Sequence, residues 1–282
     1  MIDEAKLLAD LQGEIESNEL TLPTLPEVAL KVRDAVEADN TSAGQIAELV
    51  ATDAALSARL LQVANSPLYR ARNPIDSLQT AIARMGYGVV RNLVSTLVMR
   101  QMFQATTDAL DLRLRRLWEH SVQVAAISRV IAGQVNGLQK DQAMLAGLIH
   151  DIGALPILVR AEDIPELKED ETLLDRVIDH LHPALGAKIL SSWQFPPSLI
   201  AVAAEHEDFE RNPGGAPDYV DVVMVANLQS YIGSRHPHTQ VDWSTVPAFA
   251  RVGIEADVNV VEMEENQEEL EEIEHILITA PE

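Results

Sequence analysis

A chain of 282 residues that is 47% hydrophobic but only 4% aromatic has apolar material for one large core or two modest ones, and its aliphatic, alanine-rich make-up reads as helical. A formal net charge of -23 argues against gripping nucleic acid over the whole surface, because neutralising phosphates needs Lys and Arg; the absence of cysteine excludes disulfides, thiolate metal sites and cysteine nucleophiles. The start, Met1 to Lys6, has no basic region leading into an apolar block, and no apolar run approaches about 18 residues, so neither export nor a membrane span is expected and a cytoplasmic location is the default.

Leu7, Leu8, Leu11 and Ile15 recur at helical spacing behind Asp3, which can serve as a cap. Leu22 to Pro26 breaks that pattern, and Pro26 suits the first turn of a second helix through Val28, Leu30, Val32 and Val36. Thr41 and Ser42 offer caps for a third helix buried along Ile46, Leu49 and Val50, and Asp53 caps a fourth, Ala54 to Asn65. The short link between these two is like a helix-turn-helix. Its second helix would present only Arg59 and Gln62 as readers, while Leu60, Leu61 and Val63 need burial, so DNA is not the expected partner. A loop through Tyr69, Arg70, Arg72 and Asn73 leads to Ser77, which caps a short helix ending at Gly86, and a long apolar helix continues through Val89, Leu93 and Leu97 to Phe103. Between Arg59 and Arg129 there are ten arginines and no lysine against four carboxylates, a basic stretch in an acidic protein. It is either a solvated face or the contact for an acidic surface.

Several of these segments, in order, carry a resemblance. Leu22-Pro23-Thr24-Leu25-Pro26, then Asp53 to Ser66, then Ile75 to Gly86 and Arg91-Asn92-Leu93 resemble the successive signatures of the HDOD family, over roughly residues 20–234. That family comprises helical bacterial regulators related to the HD-domain metal-dependent phosphohydrolases.

The segment Ala146 to Gly153 carries the chemistry. Adjacent residues on a helix point about 100° apart, so His150 and Asp151 can share an ion only if the helix stops there, and Gly153 is placed to stop it. An imidazole nitrogen and a carboxylate oxygen from one loop suit a divalent transition metal better than calcium. The competing reading has Asp151 capping the next helix and His150 as a satisfied, half-buried histidine. His120, on a helix from about Asp108 to Gln134, reads by itself as a packed core residue. His182 precedes Pro183, which suits a helix's first turn and would put His182 at the cap. A later helix leads to Glu205-His206-Glu207.

The resemblance implies that these residues belong together. In the HD-GYP branch, which hydrolyses cyclic di-GMP, the ligands are a first histidine, a His-Asp pair, a histidine before proline, a histidine pair and a late aspartate. His120, His150, Asp151, His182 and His206 stand at matching places. Glu205 replaces one member of the late pair and Asn227 the final aspartate; both are expected to line the pocket, and an amide there leaves the site one negative charge poorer. Ala154 follows Gly153 where that branch has a lysine, and Arg211 to Pro217 lacks the Gly-Tyr-Pro signature. These departures weaken hydrolysis, which needs cations to hold a phosphate, more than they weaken metal binding.

His180, His236, His238 and His275 carry little weight in this reading, Asp141 reads as a helix cap, and the acids from Glu162 to Glu171 read as a solvated loop. From Glu255 to Glu282 there are eleven carboxylates and no Lys or Arg, with an apolar stripe through Leu270, Ile273, Ile276 and Leu277 that predicts a docked helix, lying against the arginine-rich stretch. The expected protein is all-α: an N-terminal helical bundle (1–106) on an HD-like helical bundle (107–240) with an acidic extension (241–282). Its expected role is regulatory, binding a partner protein or a nucleotide through the groove between the bundles, with a divalent Fe, Mn, Zn or Ni ion as the implied cofactor. The alternative is a metal-dependent phosphohydrolase using His120, His150 and Asp151.

Overall fold

The computed structural model describes residues 4–17, 19–38, 40–69, 74–103 and 108–278. The expected cap Asp3, the side chain of Ile15, and the loop residues Arg70, Arg72 and Asn73 lie outside them. Every regular element among the described residues is helical. Six helices come first: α1 (Glu4–Glu16), α2 (Glu27–Glu37), α3 (Ala43–Val50), α4 (Ala54–Asn65), α5 (Leu78–Met85) and α6 (Tyr87–Met99). Then follow α7 (Asp108–Ala132), α8 (Lys140–Ile149), α9 (Ala154–Ala161), α10 (Pro165–Glu169), α11 (Glu171–Ser192), α12 (Pro197–Glu205), α13 (Tyr219–Ser230), α14 (Pro247–Val252) and α15 (Glu264–Ile278).

The predicted caps operate at α3, α4 and α5. Ser42 forms a reciprocal capping box with Gln45, Asp53 accepts from the Leu56 amide (3.0 Å), and Ser77 from the Thr80 amide (3.2 Å). Asp141 is not a cap: Gln139 holds that position, and Asp141 in the first turn of α8 accepts from Arg129 Nη1 (2.7 Å) and the Tyr69 hydroxyl. Pro183 does not open a helix either. It sits inside α11, so His182 projects from mid-helix; the Asp179 carbonyl loses its helical donor at an exposed position where water can replace it.

The core runs from the first helices to the last. Helix α7 packs on α8, α13 and α15, and α6 joins α2 to α8. Helix α13 is buried from Tyr219 to Gln229, and its buried Asp221 is held by Arg251 Nε (2.9 Å) and Arg211 Nη1 (3.3 Å). The Lys140–Ala161 stretch is apolar enough by length and composition to cross a membrane, more so than its short runs suggest. Yet 83% of its most apolar window is buried inside the bundle, and a turn divides it into α8 and α9.

The acidic extension docks as expected. Leu270, Ile273, Ile276 and Leu277 of α15 are buried. Glu269 meets Arg129 Nε (3.1 Å), and the C-terminal carbonyls of Ile276 and Ile278 accept from Arg59 (3.1 Å) and Arg100 (2.7 Å). Guanidinium groups there satisfy orphan carbonyls and offset the negative end of the helix dipole. Arg59 is thereby committed inside the protein instead of being presented for DNA reading.

Candidate metal centre

Four elements deliver the five candidate ligands: α7 carries His120, the turn after α8 carries His150 and Asp151, α11 carries His182, and His206 is the C-terminal cap of α12. Two close approaches make this possible. Gly147 of α8 lies so near α7 that an added Cβ would fall 2.8 Å from Ala125 Cα. Gly153 lies against α11, where a Cβ would fall 2.0 Å from the His182 carbonyl oxygen. Helix α8 does stop at Ile149, but Gly153 is not the device that stops it, since its backbone is right-handed (φ -66°, ψ -17°). Its missing side chain lets α11 bring His182 up to Asp151.

His150 and His206 are fully buried and His182 is 3% exposed. Each bonds Nδ1 to a carbonyl of its own helix: His150 to Gly147 (2.7 Å), His182 to Ile178 (2.9 Å) and His206 to Val202 (3.0 Å). A carbonyl only accepts, so in the neutral ring the proton sits on Nδ1 and the Nε2 lone pair is turned inward. These lone pairs converge. His182 and His206 Nε2 are 3.3 Å apart, and both lie on Asp151 Oδ1 at 3.3 and 3.2 Å. On the other oxygen, Oδ2, lie His150 Nε2 (3.2 Å) and His120 Nε2 (3.6 Å). Asp151 thus joins two groups able to hold an ion, His120-His150-Asp151 and Asp151-His182-His206.

Acceptors facing acceptors in a dry site repel unless a cation lies among them, and the His150 Nε2 atom has no hydrogen-bond partner. Neighbouring ligands around a transition ion with bonds of about 2.1 Å stand about 3.0 to 3.4 Å apart, so the donor set fits a metal. Burial of Asp151 by itself would raise its carboxyl, but the imidazoles around it, His150 foremost, hold it well below the usual carboxylate range. Burial, with the neighbouring His150, pushes His120 down to about 3, leaving it neutral and able to ligate.

The rim differs from expectation. Glu205 turns away, bonded to Arg211 Nε (2.6 Å) on the outer side of α12. Glu207, beyond the helix end, takes the inward place: its carboxylate lies 3.7 Å from both His182 and His238 Nε2, and burial raises its titration above the ordinary glutamate value. Asn227 is buried in the last turn of α13 with Oδ1 unpartnered. One turn on, the Tyr231 hydroxyl lies 3.2 Å from His120 Nε2, and its ring is sandwiched between the His120 and His236 rings, the latter 3.7 Å away and nearly parallel. The sequence reading passed over Tyr231, Glu207, His236 and His238. Its available signals were the repeated His-acid pattern, His206-Glu207 after His150-Asp151, and two histidines flanking Pro237. His180, two residues before His182, is exposed.

Comparison with known proteins settles the family, because residues 22–209 match the HDOD domain. The chain belongs to the HDOD family. A solved structure from Shewanella amazonensis SB2B, named "Putative metal-dependent phosphohydrolase", is 28% identical, covers 98% of this chain and 100% of its own, and superposes with a TM-score of 0.85. An HDOD domain protein with unknown function from Geobacter sulfurreducens is 22% identical with a TM-score of 0.72, covering 98% of this chain and all of its own; it shares the fold. Among curated sequences, an uncharacterized protein of Treponema pallidum (strain Nichols) is 22% identical over 259 residues, 86% of this chain and 48% of that protein. The HDOD chain described here therefore spans about half the length of that relative.

Proposed function

We propose that this HDOD protein is a metal-holding cytoplasmic regulator that keeps an HD-type ligand set and has lost the means to turn over a phosphodiester. It transmits a signal by binding a partner protein or nucleotide through the groove between residues 1–106 and 107–240. The observation that carries the metal reading is the inward convergence of the His150, His182 and His206 Nε2 atoms on Asp151, each ring fixed from behind by a carbonyl. With four imidazoles and one carboxylate, the set favours Fe, Mn, Zn or Ni over calcium or magnesium. Such an ion, when bound, supplies Lewis acidity; His182, His206 and Asp151 would hold it on the Oδ1 side, or His120, His150 and Asp151 on the Oδ2 side.

Turnover needs more than an ion. A phosphodiester gains charge on its oxygens as it reacts, and cations must be in place to meet it. Among the described residues the ion-pair contacts of Asp151 and Glu207 are with histidines, with no Lys or Arg among them. Ala154 follows Gly153 and supplies no charge, and the Tyr231 hydroxyl already engages His120 Nε2.

The second reading, a metal-dependent phosphohydrolase, draws on the likeness to the Shewanella protein and on the same ligand set. Assay of manganese- and iron-loaded protein on bis-p-nitrophenyl phosphate separates the two. The regulatory reading expects the rate to equal that of a His150→Ala, Asp151→Ala double variant. Turnover that the double substitution abolishes would establish the enzyme instead.

A further inference from the structure

A cleft of about 290 Å³ lies away from the metal centre, walled by α2 and α6 on one side and by α8, the end of α11 and α12 on the other. Its apolar side is Leu145, Leu199 and Phe195, and its polar side is Arg33, Arg91, Asn92 and Gln194. Asn92 is 3% exposed, yet its Nδ2 has no hydrogen-bond partner. The amide orientation is the one in which Oδ1 accepts from Arg91 Nε (3.4 Å), which leaves Nδ2 as the unpaired donor. A buried donor therefore lines an open cleft with nothing to receive it, at a position where leaving it unmade is costly.

Arg91 is the second unanswered group: among the described residues it forms no ion pair, and its contact is that amide. Arg33, by contrast, is bound to Asp34 Oδ1 (2.8 Å) and to the Trp193 carbonyl, and reaches Gln194 Oε1 (3.5 Å). Gln194 closes α11 with a left-handed backbone (φ 57°), the sole non-glycine residue with positive φ among those described. Phe195 N bonds Leu190 O and Gln194 N bonds Ser191 O, the arrangement in which glycine is the usual occupant. A glutamine kept there puts a side chain into the cleft at the expense of backbone ease.

We propose that this cleft binds a small organic monocarboxylate with a flat or apolar body, the carboxylate taking the Arg91 guanidinium and the Asn92 amide and the body lying on Phe195, Leu145 and Leu199. The unanswered groups are all donors, which calls for an acceptor-only headgroup. One free guanidinium, with Glu37 also lining the cleft and Arg33 already paired, matches a single negative charge and not the multiple charges of a nucleoside di- or triphosphate. The inference rests on the groove being a contact surface and is independent of the metal.

Full-length ¹⁵N-labelled protein titrated with benzoate, indole-3-acetate, neutral benzamide and guanosine monophosphate tests it, with metal content measured on the same samples. The expected result is saturable movement of the Asn92 side-chain and Arg91 Nε resonances with a carboxylate but not with benzamide. Arg91→Gln should weaken that binding at least tenfold, and Gln194→Gly should weaken it without lowering the thermal midpoint. No saturable carboxylate binding up to about 10 mM, or equal binding by Arg91→Gln, overturns the proposal. Binding of the nucleotide alone at these resonances overturns the carboxylate assignment while leaving the groove as a contact surface.

Discussion

Gly153 shows how much a single residue can decide here. Its absent side chain is what allows the His182 carbonyl to sit against the turn bearing Asp151, and a methyl group there would stand 2.0 Å from that oxygen. The obstacle is backbone of a packed helix, which cannot swing aside as a side-chain tip would. Gly153→Ala is expected to cost about 3 kcal/mol by denaturant unfolding, as overpacking of a rigid interior does, and to separate His182 from Asp151 so that bound metal falls. An unfolding free energy within about 0.5 kcal/mol of the parent would show that the contact yields easily. The candidate histidines were legible in the sequence as a set only through the resemblance; by themselves His150 beside Asp151 and His182 before Pro183 stood out, while His120 read as a packed core residue. What spacing could not show was which side of the α12 terminus points inward. Glu205 still belongs to the helix and pairs outward with Arg211, whereas Glu207 lies past its end and turns toward His182. Tyr231 was invisible for a related reason, since its role depends on the α13 terminus meeting α7.

At the scale of elements, helix ends marked by capping side chains were readable from sequence alone, as at Ser42, Asp53 and Ser77. Proline misled at Pro183, where tertiary packing keeps α11 continuous despite the lost hydrogen bond. The charge partition proved informative: the arginine-rich stretch and the acidic extension are partners in one chain, through Arg59, Arg100 and Arg129 on α15. Four buried aliphatic side chains on α15 each contribute roughly 1.5–3 kcal/mol against exposure, before the ordering cost of the helix is set against them. Deleting residues 264–282 is expected to lower unfolding stability by at least about 4 kcal/mol and to speed amide exchange in α7, the helix it covers. Unchanged stability and unchanged exchange in α7 would mean that the docked arrangement contributes nothing.

For the whole molecule, the bundle brings together residues up to 111 positions apart, from His120 on α7 to Tyr231 at the end of α13, around one carboxylate. The family and its all-α fold follow from the match over residues 22–209, while the proposed metal rests on the direction in which the lone pairs of the centre face. A site of inward-facing acceptors is poorly satisfied without a cation, so the account stands or falls on whether an ion is held there. Metal content of protein purified without chelator, and again after supply of Fe, Mn, Zn or Ni, decides it when measured beside folded Asp151→Asn and His182→Ala variants. The account predicts near-stoichiometric transition metal in the parent and at least a tenfold loss in both variants. A parent that stays metal-free when these ions are supplied, or one whose metal survives both substitutions, would contradict it.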